Sequence, residues 1–596
     1  MEFPTLTELQ TSREMIDTFR GYNHNLRIGD GEFYDMKNMV SSYYPVLSPR
    51  PRRGIYSNPS SPQGMICKDA LCYVDGADLY VNGAAVEGLV LSTHETMCPK
   101  DLISMGAYVI IMPDRKYVNT KDLTDYGEID AVFATEAPVT FELCKLDGST
   151  YGEPSTSEPS DPIDGALWID TSSTPHTLKQ YSKASSMWVS VATTYIKISS
   201  AGIGAAFEKY DGITIQGLGE GFILHDNATG AVIEDSELSA IDGSFVIWDK
   251  GDDYIVVVGI LDVTRTISDS ISIFRVMPTM DFIVESENRL WGCRYGFNAN
   301  GDVVNEIYAS KLGDFKNWNC FMGLSTDSYV ASCGTDGQFT GAITHLGYPL
   351  FFKENFVHKV YGNFPANYQI QTTACRGVQK GSSRSLAIVN EILYYKSRGG
   401  VCAYDGSLPT EMSFQLGEEA YSEAVAGAHG NKYYISMKDS AGEYHLFVYD
   451  TAKGMWHRED NTQAESFCSC GNEMYYIDSA DKTIRTVFGS GMPTTEPVEW
   501  MAETGIIGAS SPDKKYISRL TVRMSLDLGT QVDFYAQYDS LGEWEHLCTM
   551  TGTQLRSFAV PIRPKRCDHL RLRIEGKGDA KIYSITKTIE EGSDMR

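Results

Sequence analysis

The sequence predicts an all-β chain: a β-propeller with an inserted all-β domain and a C-terminal β-sandwich, entered by a short N-terminal arm. Three observations predict it. Between Asn288 and Phe414, short apolar or aromatic runs recur, each ending in Gly, Asn, Asp or Ser; Asn288-Arg289-Leu290-Trp291-Gly292, Tyr348-Pro349-Leu350-Phe351-Phe352-Lys353 and Glu391-Ile392-Leu393-Tyr394-Tyr395-Lys396 are examples. Such runs have strand length and composition, and the residues between them form turns. The composition, with 11% aromatic residues and 54 Gly, favours sheets over helix bundles. From Tyr516 to Lys587 apolar and polar residues alternate with period two, as a sheet with one wet face requires.

In chain order, residues 1–50 read as an extended arm. Leu9, Met15, Ile16 and Phe19 lie near helical spacing, which predicts a short helix from Leu6 to Phe19 with Gly21 as its stop. Ser48-Pro49-Arg50-Pro51-Arg52-Arg53-Gly54 is extended because its prolines exclude helix and central strand. Its three guanidinium groups have two readings, a docking contact for an acidic partner or a solvated linker. Residues 51–150 form the first part of the propeller, with strand pairs at Ala70-Leu71-Cys72-Tyr73-Val74-Asp75-Gly76, Asp78 to Gly83, Gly106 to Pro113 and Lys116 to Asn119. The polar run Tyr151 to Pro162, with three prolines, reads as a mobile link.

Residues 151–280 form the inserted all-β domain, opening on a small meander with Trp168 and Trp188 as anchors. The propeller resumes over 281–490. There Tyr449-Asp450, a turn, and then Trp456 suit a blade in which the indole wedges one sheet against the next. Residues 491–596 form the sandwich. Leu520, Val522, Met524 and Leu526 share one face, as do Val532, Phe534, Ala536 and Tyr538, then Phe558, Val560 and Ile562, then Leu570, Leu572 and Ile574.

The 596 residues carry 51 Lys and Arg against 78 Asp and Glu, a net charge of -27. That balance argues against general nucleic-acid binding by charge, yet suits the wall of a passage that repels phosphate. The 13 Cys show no CxxC and no metal-ligand spacing, which predicts small buried thiols in a reducing cytosol. No signal peptide is visible at Met1 to Glu8. The most apolar runs, Tyr108 to Met112 and Tyr254 to Leu261, fall far short of the roughly 20 residues of a membrane helix.

Catalytic motifs are absent: no phosphate loop, HExxH, GxSxG or EF-hand sequence occurs. Asp539, Glu543 and Glu545 are close enough in sequence to weigh as an acid and base for glycoside hydrolysis, but solvated hairpin carboxylates are commonplace. Asp478 with Asp481, and Asp75 with Asp78, offer too few oxygens for calcium and read as turn caps. His345, His358, His429 and His445 read as packed or surface residues, and Phe351-Phe352 as core. The expectation is therefore no catalytic, cofactor-binding or metal site, no cofactor and no enzymatic activity.

Several stretches resemble the tail nozzle or tail hub proteins (tail tubular protein B-like) of short-tailed bacteriophages and related phage minor structural proteins. They are Glu32-Phe33-Tyr34-Asp35-Met36-Lys37-Asn38-Met39 leading to Pro49-Arg50-Pro51-Arg52-Arg53-Gly54, Asn288 to Gly292, Tyr308 to Asp314, Phe352-Lys353-Glu354-Asn355 with Tyr361-Gly362, and Tyr394 to Val401 with Tyr404-Asp405-Gly406. The closing Pro564 to His569 region is similar to phage structural proteins too. The resemblance covers about half of the chain and implies a structural protein of the virion tail, made in the host cytoplasm. It implies a cyclic homo-oligomer, a hexamer in that family, below the portal and adaptor proteins, offering docking surface for tail fibres. Genomic DNA would pass through the ring during ejection without sequence-specific binding. The alternatives are a tail-tip glycan or receptor-binding protein, favoured if the 491–596 domain exposes aromatic patches, and a propeller glycosidase, which needs converging carboxylates.

Overall fold

The computed structural model describes residues 11–135, 138–152, 154–172, 177–191, 193–216, 224–225, 232–233, 243–261, 265–267, 270–298, 301–489, 496–508, 514–563 and 565–591. Apart from short 3-10 turns, the regular structure of these residues is all strand. None of their helices is long and apolar enough to cross a membrane.

Seven four-stranded antiparallel blades follow one another around a ring, six of them separate sheets and the sixth the first four strands of a ten-stranded sheet. Their innermost strands are Pro62–Lys68, Asp101–Met105, Phe282–Ser286, Gly341–His345, Ala387–Val389, Ser422–His429 and Ala464–Cys470. The repeat that builds them is a turn with positive φ followed by an apolar second strand: Asp69, Gly106, Asn288, Gly347, Glu391, Gly430 and Gly471 all have positive φ at this point. Two-residue hairpins need that left-handed backbone to match strand twist, which is why Gly, Asn and Asp recur there. Period two then sends alternate side chains of each second strand to opposite neighbours. Leu393 and Tyr395 pack against the fourth blade, while Tyr394 joins Tyr433 and Ile435 of the sixth. Tyr434 turns the other way, to Met474 and Tyr476 of the seventh. The Tyr433 hydroxyl donates to the Ser385 carbonyl at 2.8 Å between blades five and six. Tyr433→Phe orphans that buried carbonyl and is expected to cost about 1–2 kcal/mol in a urea titration.

The seventh blade is a composite. Ala464–Cys470, Glu473–Asp478 and Ile484–Thr486 supply three strands, and Gly54–Ser57, from the other end of the ring, supplies the fourth. Met65, Leu71 and Tyr73 of blade one then pack on Ile477 and Ile484 of blade seven, closing the circle. Cys67 and Cys470 form a disulfide across the same seam, with a Cα–Cα distance of 5.4 Å. This corrects the expectation of thirteen reduced thiols. Two residues 403 apart in sequence are neighbours because ring closure sets the first and last inner strands side by side. The other eleven cysteines are free, and most are buried.

The inserted domain departs from the ring after the second blade. Its eight-stranded sheet runs from Ala131–Ala134 to Ser272–Arg275 around Phe141, Ile196, Ile213, Ile247 and Val257. The chain thus enters this domain at Ala131, and Tyr151 to Pro162 lies inside it, where Ser155 bridges to Asp170. Trp168 and Trp188 meet in the predicted meander, their ring centroids 5.3 Å apart. Asp211 ties the domain to blade three, pairing with Arg275 and accepting from Asn317 Nδ2 at 3.0 Å.

The sandwich has two sheets. One orders Thr11–Ile16, Ala580–Glu591, Lys515–Leu526 and Arg556–Val560. The other continues, strand by strand, from the sixth blade: Met455–Arg458, Gly21–Tyr22, Glu32–Lys37, Glu499–Thr504, Leu570–Lys577, Gln531–Tyr538 and Glu545–Thr551. Leu520, Val522, Met524, Phe534, Leu572 and Ile574 fill the space between them, on the faces that the alternation predicted.

The N-terminal residues are extended, but their docking partner is this chain itself. Thr11–Ile16 pairs with Ala580–Glu591 in place of the predicted helix, because a full antiparallel ladder outweighs weak helical spacing; Leu6 and Leu9 lie outside the described residues. Gly21, read as a helix stop, has φ +83 and sits against the Trp456 carbonyl, where any Cβ would collide.

Candidate functional site

The residues that carry chemistry in this chain are spent mainly on joining its parts. The densest group lies where the N-terminal segment crosses from the sandwich to blade seven. Arg53, 4% exposed, donates to Glu459 Oε2 at 2.7 Å and to Thr462 Oγ1 at 2.8 Å, with its guanidinium 5.2 Å from the Tyr476 ring centroid. Arg50 donates to Asn38 Oδ1 at 2.8 Å and pairs with Asp460 at 3.2 Å. Burial pushes the Asp460 carboxyl up, but Arg53 and Arg50 outweigh it and hold the group well below the usual carboxylate range. Two of the three arginines are therefore internal ties, neither a docking contact nor a solvated linker. Glu459 and Asp460, in the connection between blades six and seven, are what the sequence reading missed; nothing in Arg458-Glu459-Asp460 by itself points some 400 residues back.

A second node lies on the axis of the propeller. Arg384, just before the inner strand of blade five, donates to the Glu465 carbonyl of blade seven at 3.2 Å and to the Cys98 carbonyl, and pairs with Asp101 of blade two at 3.2 Å. Those partners are not the neighbours of blade five, so the guanidinium lies across the bore.

The carboxylates singled out in the sequence do not converge. Asp539 accepts from the backbone amides of Asp568 at 2.7 Å and His569 at 3.3 Å, and Glu545 pairs with Lys565. Glu543 is exposed. Asp75 holds the Ser60 and Ser61 amides, while Asp478 and Asp481 cap their turn and meet Arg485. Among the described residues no group of three His, Cys, Asp or Glu is placed to hold a metal ion.

The histidines are structural. His345 Nε2 faces the Glu391 carbonyl at 2.7 Å, and His358 lies between Thr335 and Thr372, each 2.9 Å away. Burial, with Lys353 nearby, lowers the His358 pKa to about 4. His445 bridges Asp439 at 2.8 Å and Arg458 at 3.1 Å, and His429 contacts Ser469. Phe351 and Phe352 are fully buried in the layers on either side of blade four.

One open cleft of about 260 Å³ lies between blades five and six, lined by Lys396, Arg398, Glu411, Phe414, Glu419 and Tyr421. Lys396 donates to Gln379 Oε1 at 3.0 Å, and burial lowers its pKa to about 8. Glu411 is held by Arg376 at 2.5 Å. The cleft offers a charged rim, on which Glu418 is unengaged among the described residues, and one exposed ring, Phe414.

No family model matches the chain, and no curated protein matches it. Among solved structures, Raptor from Chaetomium thermophilum is similar at 10% identity over 73% of this chain, with a TM-score of 0.28; the match spans 29% of the Raptor chain. An exo-β-1,3-galactanase from Phanerochaete chrysosporium is similar at 10% identity over 51% of this chain and 94% of its own, with a TM-score of 0.19. An engineered GH43 glycoside hydrolase with endo-xylanase and exo-arabinofuranosidase activity is similar at 8% identity over 51% and 97%, also with a TM-score of 0.19. Likeness this distant says nothing about chemistry.

Proposed function

We propose that this chain is a structural, non-enzymatic component of a bacteriophage tail, a nozzle or hub subunit that assembles into a ring around the path of the genome. The observation that carries the reading is the weld between propeller and sandwich. Glu32 to Met39 and Pro49 to Gly54 open the phage-like resemblance, and the same residues form the strand Glu32–Lys37, the Asn38 contact to Glu499 and the Arg50 and Arg53 ties. A continuous sheet across two domains makes a stiff block, as a load-bearing ring needs, and hinders the hinge motion that many enzymes use.

Arg384 adds a constraint. With the bore of a single propeller crossed by a side chain, any passage for duplex DNA runs between copies, along the acidic surfaces that a charge of -27 provides. In this reading the subunit sits below portal and adaptor proteins in the virion tail and offers its outer domains to fibres. An electron cryo-microscopy reconstruction of the intact particle tests it. A sixfold ring at the tail below the adaptor is the expected result, and a trimer at the distal tip, or a protein absent from the particle, overturns it.

The glycan-binding alternative has one specific observation, the cleft beside Phe414, which is 73% exposed. Among the described residues of the 491–596 domain the large exposed hydrophobics are aliphatic, Ile506, Leu528, Leu541 and Leu555, and supply no stacking platform. The glycosidase alternative gains nothing from Asp539 and Glu545, which are engaged with the Asp568 and His569 amides and with Lys565, and a polysaccharide turnover assay tests it directly.

A further inference from the structure

Charge is distributed unevenly along this chain. Residues 491–596 hold 14 Lys and Arg against 15 Asp and Glu, so nearly all of the net -27 belongs to the residues before them. Within the sandwich, Arg519, Arg523 and Lys581 lie on the outer face of the sheet that contains Lys515–Leu526, with Arg13 beside them. Leu520, Val522 and Met524 point inward, so Arg519, Thr521, Arg523 and Ser525 point out. The register sets Arg13 and Arg519 on either side of Thr588, Thr521 beside Thr586 and Ala559, Arg523 beside Ser557, and Ser525 beside Lys581.

Thr, Ser and Ala floor much of the face, with exposed Met15 beside Thr586 and the carboxylate of Glu590 toward one end. Arg13, Arg519 and Arg523 are exposed, and none of their guanidinium groups has a hydrogen bond or ion pair among the described residues. Elsewhere the arginines of this chain are commonly engaged, as Arg50, Arg53, Arg384, Arg485 and Arg573 show.

An opposite surface lies on the propeller, where the strand connections of blades five and six meet. Glu418, Glu419, Glu423 and Glu443 are exposed there, flanking the cleft beside Phe414. Glu419 is engaged with Ser440 and Glu423 with Lys438 and Tyr444; the carboxylates of Glu418 and Glu443 have no hydrogen-bond or ion-pair partner among the described residues. Within one chain no ion pair joins this rim to the basic face, among the described residues.

We propose that the basic sandwich face of one copy docks on the acidic rim between blades five and six of the next copy, head to tail. Charge complementarity selects the occupant: a second copy of this acidic chain presents the matching sign. The strands of this sheet, 6, 12, 12 and 5 residues long, give roughly 550 Å² at about 3.3 Å per residue and about 4.8 Å spacing, a small contact of the kind that salt can open. A heterologous contact of this kind generates a ring when its rotation closes. The inference rests on the ring-subunit reading and names the surfaces through which such a ring is built. If the imaged particle contains the ring but its subunits touch elsewhere, this inference fails and that reading stands.

The test uses the full chain, with mass measured by light scattering at low and high salt. Wild type is expected to assemble at low ionic strength and to dissociate as salt screens the contact. Arg519→Glu with Arg523→Glu is expected to be monomeric with an unchanged circular dichroism spectrum, because both side chains are exposed. Adding Glu418→Arg and Glu443→Arg to that variant is expected to restore assembly. A monomeric wild type, a double reversal that assembles like wild type, or failure of the fourfold variant to recover each overturns the proposal. So does a double reversal that leaves the mass unchanged but abolishes binding to duplex DNA, which would make the face a phosphate site.

Discussion

Arg53→Ala is expected to destabilise the protein by about 3–5 kcal/mol, a cost set by what the truncation leaves behind. The guanidinium is buried between Glu459 and Asp460, so its loss strands two negative charges in a partly dry junction with only Arg50 to offset them. Replacing all three groups with well-packed apolar residues would cost far less, because the penalty comes from the unpaired charge and not from a missing attraction. A urea titration followed by tryptophan fluorescence measures the change. The pH dependence gives a second readout. The folded pKa of Asp460 lies below its unfolded value, so this carboxylate contributes stability above about pH 4 and the contribution fades as pH falls toward the folded value. In Arg53→Ala that contribution shrinks, and the loss at neutral pH is expected to exceed the loss measured at acid pH. An equal cost at both would mean that packing, not charge, holds the junction.

Cys67→Ser with Cys470→Ser is expected to lower stability by about 4 kcal/mol, near the upper end for disulfides, because the bond closes a loop of 403 residues in the unfolded chain. Thermal melts with and without dithiothreitol check it. Wild type should lose stability on reduction, and the double variant should be indifferent to the reductant. The strand pairing of Gly54–Ser57 with Ile484–Thr486 closes the ring independently, so the reduced protein is expected to remain folded. If reduction leaves the melt of wild type unchanged, the seam is held by that ladder and its apolar layer alone.

The fold was legible where side-chain alternation and turn chemistry repeat locally. Glu391-Ile392-Leu393-Tyr394-Tyr395-Lys396 announces a positive-φ turn and a strand buried on both sides, and Leu520 to Leu526 announces a strand with one wet face. What the local pattern could not carry was any contact made over hundreds of residues. Thr11–Ile16 has weak helical spacing, and only the remote strand Ala580–Glu591 makes it a strand. Gly54–Ser57 follows a proline-rich stretch and looks like linker until blade seven is found to lack an edge. The functional residues divide in the same way. Turn caps such as Asp478 and Asp481 were readable because their partners lie two residues on. Arg53 and Arg384 were not, since a charge acquires its role only from the partner that folding delivers. The disulfide was hidden for the same reason.

The composite seventh blade makes this protein slow to complete on the ribosome. The strand at residues 54–57 emerges early, yet its partner at 484–486 follows some 430 residues later, roughly 20 to 90 s at ordinary elongation rates. Throughout that interval the nascent chain carries an unclaimed edge, and the earlier blades lack the neighbour that shuts them. A ribosome stalled before residue 484 therefore holds an open arc of sheets, the species most exposed to pairing with the wrong chain.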